Sequence, residues 1–88
     1  MKILVHNTFD KHFRKRILPD TKLVTRFNER VSIFTASPLD PLLKDHALIG
    51  THRDHRAFSI TGDIRIIYEQ IDENTVRFLD IGTHNQVY

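Results

Sequence analysis

The sequence predicts an α+β fold, a mainly antiparallel sheet with two N-terminal helices packed on one face. Three observations predict it. Apolar residues recur at helical spacing from Phe9 to Phe34, they alternate in strand fashion from Ala57 to Ile81, and one short apolar run precedes both.

The elements follow in order. Lys2 to His6 reads as a short strand with Ile3 and Val5 on one face. Asn7 or Thr8 is the expected cap of the next helix, because either side chain accepts a bond from an orphan N–H. In that helix Phe9, Phe13 and Ile17 form one stripe and Lys11, Arg14 and Lys15 occupy the other side. Pro19-Asp20 breaks it and caps a second helix, whose apolar stripe is Leu23, Phe27, Val31 and Phe34. Ser37-Pro38 ends the second helix, since the residue before proline avoids the helical region. Positions 39 to 55 read as loop. Three strands are then expected, at 57–60, 64–71 and 75–81, separated by turns at Thr61-Gly62-Asp63 and Asp72-Glu73-Asn74. Val76 and Phe78 face one way in the last strand, Arg77 and Leu79 the other.

The chain of 88 residues is expected to be a single domain spanning 1–88. A domain of this size buries roughly 60–65% of its unfolded surface, so modest stability is expected. Its 40% hydrophobic and 27% charged content is that of a globule rather than a disordered tail. There are no cysteines. That excludes a disulfide framework and a thiolate zinc site, and it fits a reducing cytoplasm. The apolar run after Met1 is too short for a signal peptide, and no stretch reaches the ~20 apolar residues of a membrane span. A cytoplasmic location is the expectation.

The net charge of +2 hides an asymmetry: residues 1–30 carry eight bases against three acids, and residues 31–88 carry five against eight. A basic front half points to an anionic partner, nucleic acid or an acidic protein segment, or simply to solvated helix faces.

Three segments carry a family resemblance. Leu42-Leu43-Lys44-Asp45-His46-Ala47-Leu48-Ile49-Gly50 is similar to the DHxLxG segment of YafQ-like toxins. Residues 56–68, Arg56 to Tyr68, resemble that family's strand–turn–Asp–strand pattern ending in an aliphatic-Tyr pair. Residues 78–88, with Gly82-Thr83-His84 and a final Tyr88, resemble its terminal strand and aromatic ending. The chain thus resembles the RelE/ParE superfamily, in particular its YafQ-like branch. The resemblance implies a toxin of a type II toxin–antitoxin pair. Such toxins enter the ribosomal A site and cleave messenger RNA there, and a cognate antitoxin wraps them. The expected partners are therefore a cognate antitoxin, mRNA and ribosomal RNA.

RNA cleavage of this kind requires a base for the 2′-hydroxyl, positive charge at the phosphorane and an acid for the leaving 5′-oxygen. By position in the family pattern, the expected catalytic residues are His46, Asp63, His84 and Tyr88. Histidine suits either proton role, and the terminal aromatic suits stacking on a base. Lys11, Arg14, Lys15, Arg56 and Arg65 are the expected RNA contacts. Each has a plainer reading: His46 as a loop histidine, Asp63 as a turn residue, His84 as a backbone-bonded turn residue, Tyr88 as packing. Arg65, alternating against Ile64 and Ile66, faces either an open sheet face or bulk solvent.

The chain departs from the family pattern at three positions. Ala57 and Ser59 stand where the branch commonly has an Asp and a His, and Asp80, three before Thr83, replaces its usual arginine. These departures keep two alternatives open, a ParE-like gyrase-binding toxin and a degenerate toxin that only binds antitoxin. His46, His52 and His55 lie close in sequence, but with no CxxC or HExxH beside them no metal or cofactor is expected.

Overall fold

The structure, a computed structural model, describes residues 1–48 and 54–88. The chain runs β1 (Lys2–Val5), α1 (Asn7–Arg16), α2 (Thr21–Ala36), a 3-10 turn at Pro41–Leu43, β2 (His46–Ala47), β3 (His55–Ser59), β4 (Ile64–Asp72), β5 (Thr75–Thr83) and α3 (His84–Val87). The strands form one sheet in the order β1-β5-β4-β3-β2, parallel only where β1 meets β5. The expected α+β architecture is thus the observed one, with α1 and α2 on a single face.

Helix boundaries follow from capping chemistry. α1 is capped by His6, one residue before Asn7 and two before Thr8, the expected caps, with its ring Nδ1 accepting from the Thr8 N–H at 3.0 Å. Asp20 caps α2 as expected, accepting from the N–H groups of Lys22 and Leu23. Residues 39 to 55, expected to be loop, hold the 3-10 turn and the two-residue β2. His52 and Gly50 lie outside the described residues.

The core lies between the helices and one sheet face. Phe9 from the first helix, Ile17 at its C-cap and Phe34 from the second helix meet Phe58, Ile66, Tyr68, Val76, Phe78 and Ile81. Phe34 and Phe58 stack at 4.3 Å between ring centroids, and Phe9 approaches Phe78 at 5.4 Å. Such aromatic pairs add about 0.5–1.5 kcal/mol each beyond the apolar area they bury.

One irregularity sets the geometry of the other face. Ile67 pairs with Asp80 but Tyr68 pairs with Phe78, so Leu79 is the extra residue of a β-bulge. Val76 and Phe78 face the core before the bulge and Ile81 faces it afterwards. β1 covers β5 only from Thr75 to Phe78. Beyond that, Arg16 of α1 donates to the Ile81 carbonyl at 2.9 Å and so satisfies the edge that β1 leaves.

Candidate functional site

Alternation assigns the side chains of the open face. Cross-strand partners share a face, so His46, Ala57, Ile67 and Asp80 form one row from β2 to β5, and Ser59, Arg65 and Gly82 form the next. Arg65 therefore stands on the open face, away from the core.

There it meets the chain's last turn. Thr83 caps α3 with a capping box: its hydroxyl accepts from the Gln86 N–H while the Gln86 side chain accepts from the Thr83 N–H. The box fixes His84 against Arg65, whose Nη1 lies 3.3 Å from His84 Nδ1. Tyr88 closes the cluster. Its ring sits edge-on to His84 at 4.4 Å, and the Arg65 guanidinium carbon lies 5.9 Å from its centroid. Arg65 Nε is buried without a hydrogen-bond partner, an uncommon state for a cationic group. Gly82 lets two side-chain tips approach the strand beneath this turn: a Cβ there would stand 2.6 Å from both Arg16 Nη1 and Gln86 Oε1, and both would have to swing aside.

The other expected catalytic residues lie apart. Asp63 sits in the exposed turn that Thr61 Oγ1 ties together by accepting from the N–H groups of Asp63 and Ile64. Because Ile64 pairs with Thr83, Asp63 and His84 flank one cross-strand position. His46 is at the opposite edge, its Nδ1 3.0 Å from the Lys44 carbonyl. Register separates it from His84 by about 13 Å along the strands and about 14 Å across them.

Among the expected RNA contacts, Lys11, Arg14 and Lys15 form the exposed face of α1, with Arg14 3.3 Å from Asp10. Arg56 makes a bridge inside the protein, to Asp45 Oδ1 at 2.6 and 2.7 Å. Tyr68 donates to the other oxygen of Asp45, a carboxylate only 2% exposed. Burial first, and then the Asp45 carboxylate, push the Tyr68 hydroxyl well above its ordinary range, and bonding to Asp45 raises the Arg56 guanidinium further.

The sequence reading missed His12 and Arg16. His12 Nδ1 lies 2.6 Å from Asp80 Oδ1, and Arg16 Nη1 lies 3.6 Å from the same oxygen. Their four-residue spacing on one helix stripe was the available signal. Beside Asp80 the open face holds a depression of ≈ 200 Å³. Among the described residues no group of three His, Cys, Asp or Glu side chains is placed to hold a metal ion. No helix there is long and apolar enough to cross a membrane.

Comparison with known proteins agrees with this architecture. A copper-bound mutant toxin from Helicobacter pylori is 27% identical, with TM-score 0.77 over 100% of this chain and 99% of that one. YafQ from E. coli strain BL21(DE3) is 22% identical, with TM-score 0.78 over 99% and 97%. A YoeB/ParE toxin from Agrobacterium tumefaciens is 18% identical, with TM-score 0.79 over 96% and 99%. YafQ has also been solved in the E. coli DinJ-YafQ toxin-antitoxin complex, 22% identical with TM-score 0.73 over 99% of this chain and 96% of that one. No curated protein sequence matches the chain. The model of the family described as the bacterial toxin of type II toxin-antitoxin system, YafQ, matches residues 1–88. The chain therefore belongs to the YafQ family of type II toxins.

Proposed function

We propose that this toxin is an endoribonuclease that cleaves messenger RNA on the ribosome and is held in check by a cognate antitoxin. The observation that carries the reading is the Arg65–His84–Tyr88 cluster: a histidine, a cation with an unpaired buried N–H and an aromatic ring, together on an open sheet face. Arg65 lies against His84 Nδ1, so Nε2 is the nitrogen left for the reaction: as an imidazolium His84 gives the Nε2 proton to the departing 5′-oxygen and returns to the neutral ring, which accepts from Arg65. The Arg65 guanidinium, with donors left over, steadies the charge of the phosphorane. Tyr88 offers its ring to a neighbouring base.

The attacking 2′-hydroxyl gives up its proton as its oxygen bonds to phosphorus, and the bond to the 5′-oxygen breaks. A 2′,3′-cyclic phosphate and a 5′-hydroxyl remain. Asp63, flanking the same cross-strand position as His84, is the nearer of the two expected bases. His46, at the far edge, would serve a more distant part of the message. Lys11, Arg14 and Lys15 hold ribosomal RNA phosphates, an attraction that weakens with salt. Arg56 contributes through the Asp45 bridge, which anchors the residue beside His46.

An antitoxin partner is supported by the family and by the DinJ-YafQ complex of a relative with the same fold. The test is induction of the wild type and of His84→Ala in a host, with primer-extension mapping of a reporter message. In-frame cuts by the wild type that vanish in the variant are the expected result. Growth arrest with intact message would overturn the nuclease reading in favour of a gyrase-directed toxin. The absence of arrest would leave an antitoxin-binding module.

A further inference from the structure

The pair formed by His12 and Asp80 stands next to the Arg65 cluster, and the cleavage chemistry above leaves it without a role. Asp80 and Gly82 are two residues apart on the open face of β5, about 7 Å, and Gly82 is the cross-strand partner of Arg65. His84 follows two residues later. Arg16 reaches over the same glycine from α1, with Nη1 only 2.6 Å from where a Cβ of Gly82 would stand. Two guanidinium groups thus approach Gly82, Arg65 from β4 and Arg16 from α1. A histidine stands at either end of this row, His12 on the Asp80 side and His84 on the other.

The contacts fix the tautomer of His12. Asp80 Oδ1 accepts from the Ile81 N–H at 2.8 Å, and Arg16 Nη1 lies 3.6 Å from the same atom. An oxygen held between an N–H and a guanidinium is an ionised acceptor, so the Nδ1 of His12, at 2.6 Å, carries the ring proton and donates it. Nε2 keeps its lone pair. The side chain is 22% exposed, so that nitrogen is within reach of an incoming group. Once a proton arrives, the same carboxylate stabilises the imidazolium. Among the described residues no hydrogen bond orients the Asp63 carboxylate in a comparable way.

We propose that His12, aimed by Asp80, is the general base of the cleavage and works from the opposite end of the phosphate to His84. The proposal rests on the nuclease reading for its reaction. His12 Nε2 takes the 2′-hydroxyl proton as that oxygen bonds to phosphorus. The bond from phosphorus to the 5′-oxygen breaks, its electron pair stays on the oxygen, and the Nε2 proton of His84 joins it. In-line displacement puts the entering and leaving oxygens on opposite sides of phosphorus. A base and an acid at the two ends of one row, with Arg16 and Arg65 between them, meet that requirement. Asp80 touches no substrate and is a positioning residue.

The experiment is single-turnover cleavage on programmed ribosomes at saturating toxin, with an ordinary message and one whose scissile 5′-oxygen is replaced by sulfur, a leaving group that needs no acid. His12→Asn keeps a donor for Asp80 but has no base, and is expected to lower cleavage of both messages ~100-fold. His84→Ala is expected to lose the ordinary message and to regain most of its rate on the sulfur one. Ring ¹⁵N shifts of the wild type, at a pH where His12 is neutral, need no variant. They are expected to show the proton on Nδ1, and Asp80→Ala is expected to release the ring to a mixture of tautomers. His12→Asn cleaving at the wild-type rate would overturn the proposal and return the base to Asp63. So would its rescue by the sulfur message, which would make His12 an acid, or a wild-type proton found on Nε2. Each of these leaves the nuclease reading standing, whereas a wild type that cuts neither message overturns both.

Discussion

Two polar clusters sit on opposite sides of the same sheet and are built to opposite standards. On the helix side, Asp45 uses both oxygens on Arg56 and Tyr68. On the open side, Arg65 keeps a buried Nε without a partner, beside a His84 and a Tyr88 that are exposed. A buried polar group left unpaired costs about 1–3 kcal/mol, whereas a saturated bridge recovers what burial took. The first cluster therefore holds the fold together, and the second retains hydrogen-bonding capacity for a ligand.

The comparison can be broken by substitution. Asp45→Ala leaves Tyr68 without its acceptor and Arg56 without its counter-ion, and is expected to cost about 3 kcal/mol in a urea melt. That figure is at the low end for a broken bridge because Arg56 is 36% exposed and reaches water. Arg65→Ala is expected to change stability by less than about 0.5 kcal/mol while lowering message cleavage ~100-fold in a programmed-ribosome assay. Equal losses of stability in the two variants would erase the distinction.

Titration sharpens it. Tyr68 holds its proton more tightly folded than unfolded, so its contribution is complete below about pH 10, where the unfolded tyrosine begins to ionise. Above that the unfolded chain binds fewer protons than the native one, and stability falls by up to about 1.4 kcal/mol per pH unit until the folded hydroxyl titrates. Tyr68→Phe is expected to flatten this alkaline slope in denaturant midpoints measured from pH 9 upward. The smallest effect belongs to Asp72. Bonds from the Asn74 N–H, and then from Thr75, hold its carboxyl below the usual range. Its contribution is present above about pH 4 and is lost as pH falls through the folded value. Asp72→Asn is expected to lower the Tm slightly at pH 7 and not at pH 2.

Local signals made much of the fold legible. The Leu23–Phe27–Val31–Phe34 stripe and the Asp20 cap describe α2, and the two turns divide β3, β4 and β5. Long-range effects were not legible. The two residues of β2 are a strand only because β3 lies alongside, and no period is readable in so short a run. His6 took the cap from residues of higher capping preference because its ring nitrogen reaches Thr8. Asp45 reads as an ordinary loop acid, and its burial follows from Tyr68 standing 23 positions later in sequence. For the candidate site, the alternation around Arg65 placed it opposite Ile66. The partnership of Asp80 with His12 spans 68 positions, and nothing local announces it.

The bulge at Leu79 makes β5 a sentence with a shift of reading frame in its middle. Val76 and Phe78 are read in one phase, Ile81 in the other, and the turn that carries His84 inherits the second. Any side chain at position 79 preserves the frame. Deleting that single residue would remove the bulge and keep the same cross-strand pairs, Tyr68 with Phe78 and Ile67 with Asp80, so Ile81 would still face the core. A deletion or insertion elsewhere in β5 would instead shift the phase by one and carry Ile81 to the solvent side. A gap at position 79 in an alignment of relatives therefore marks a straightened strand, and a gap to either side of it a rebuilt one.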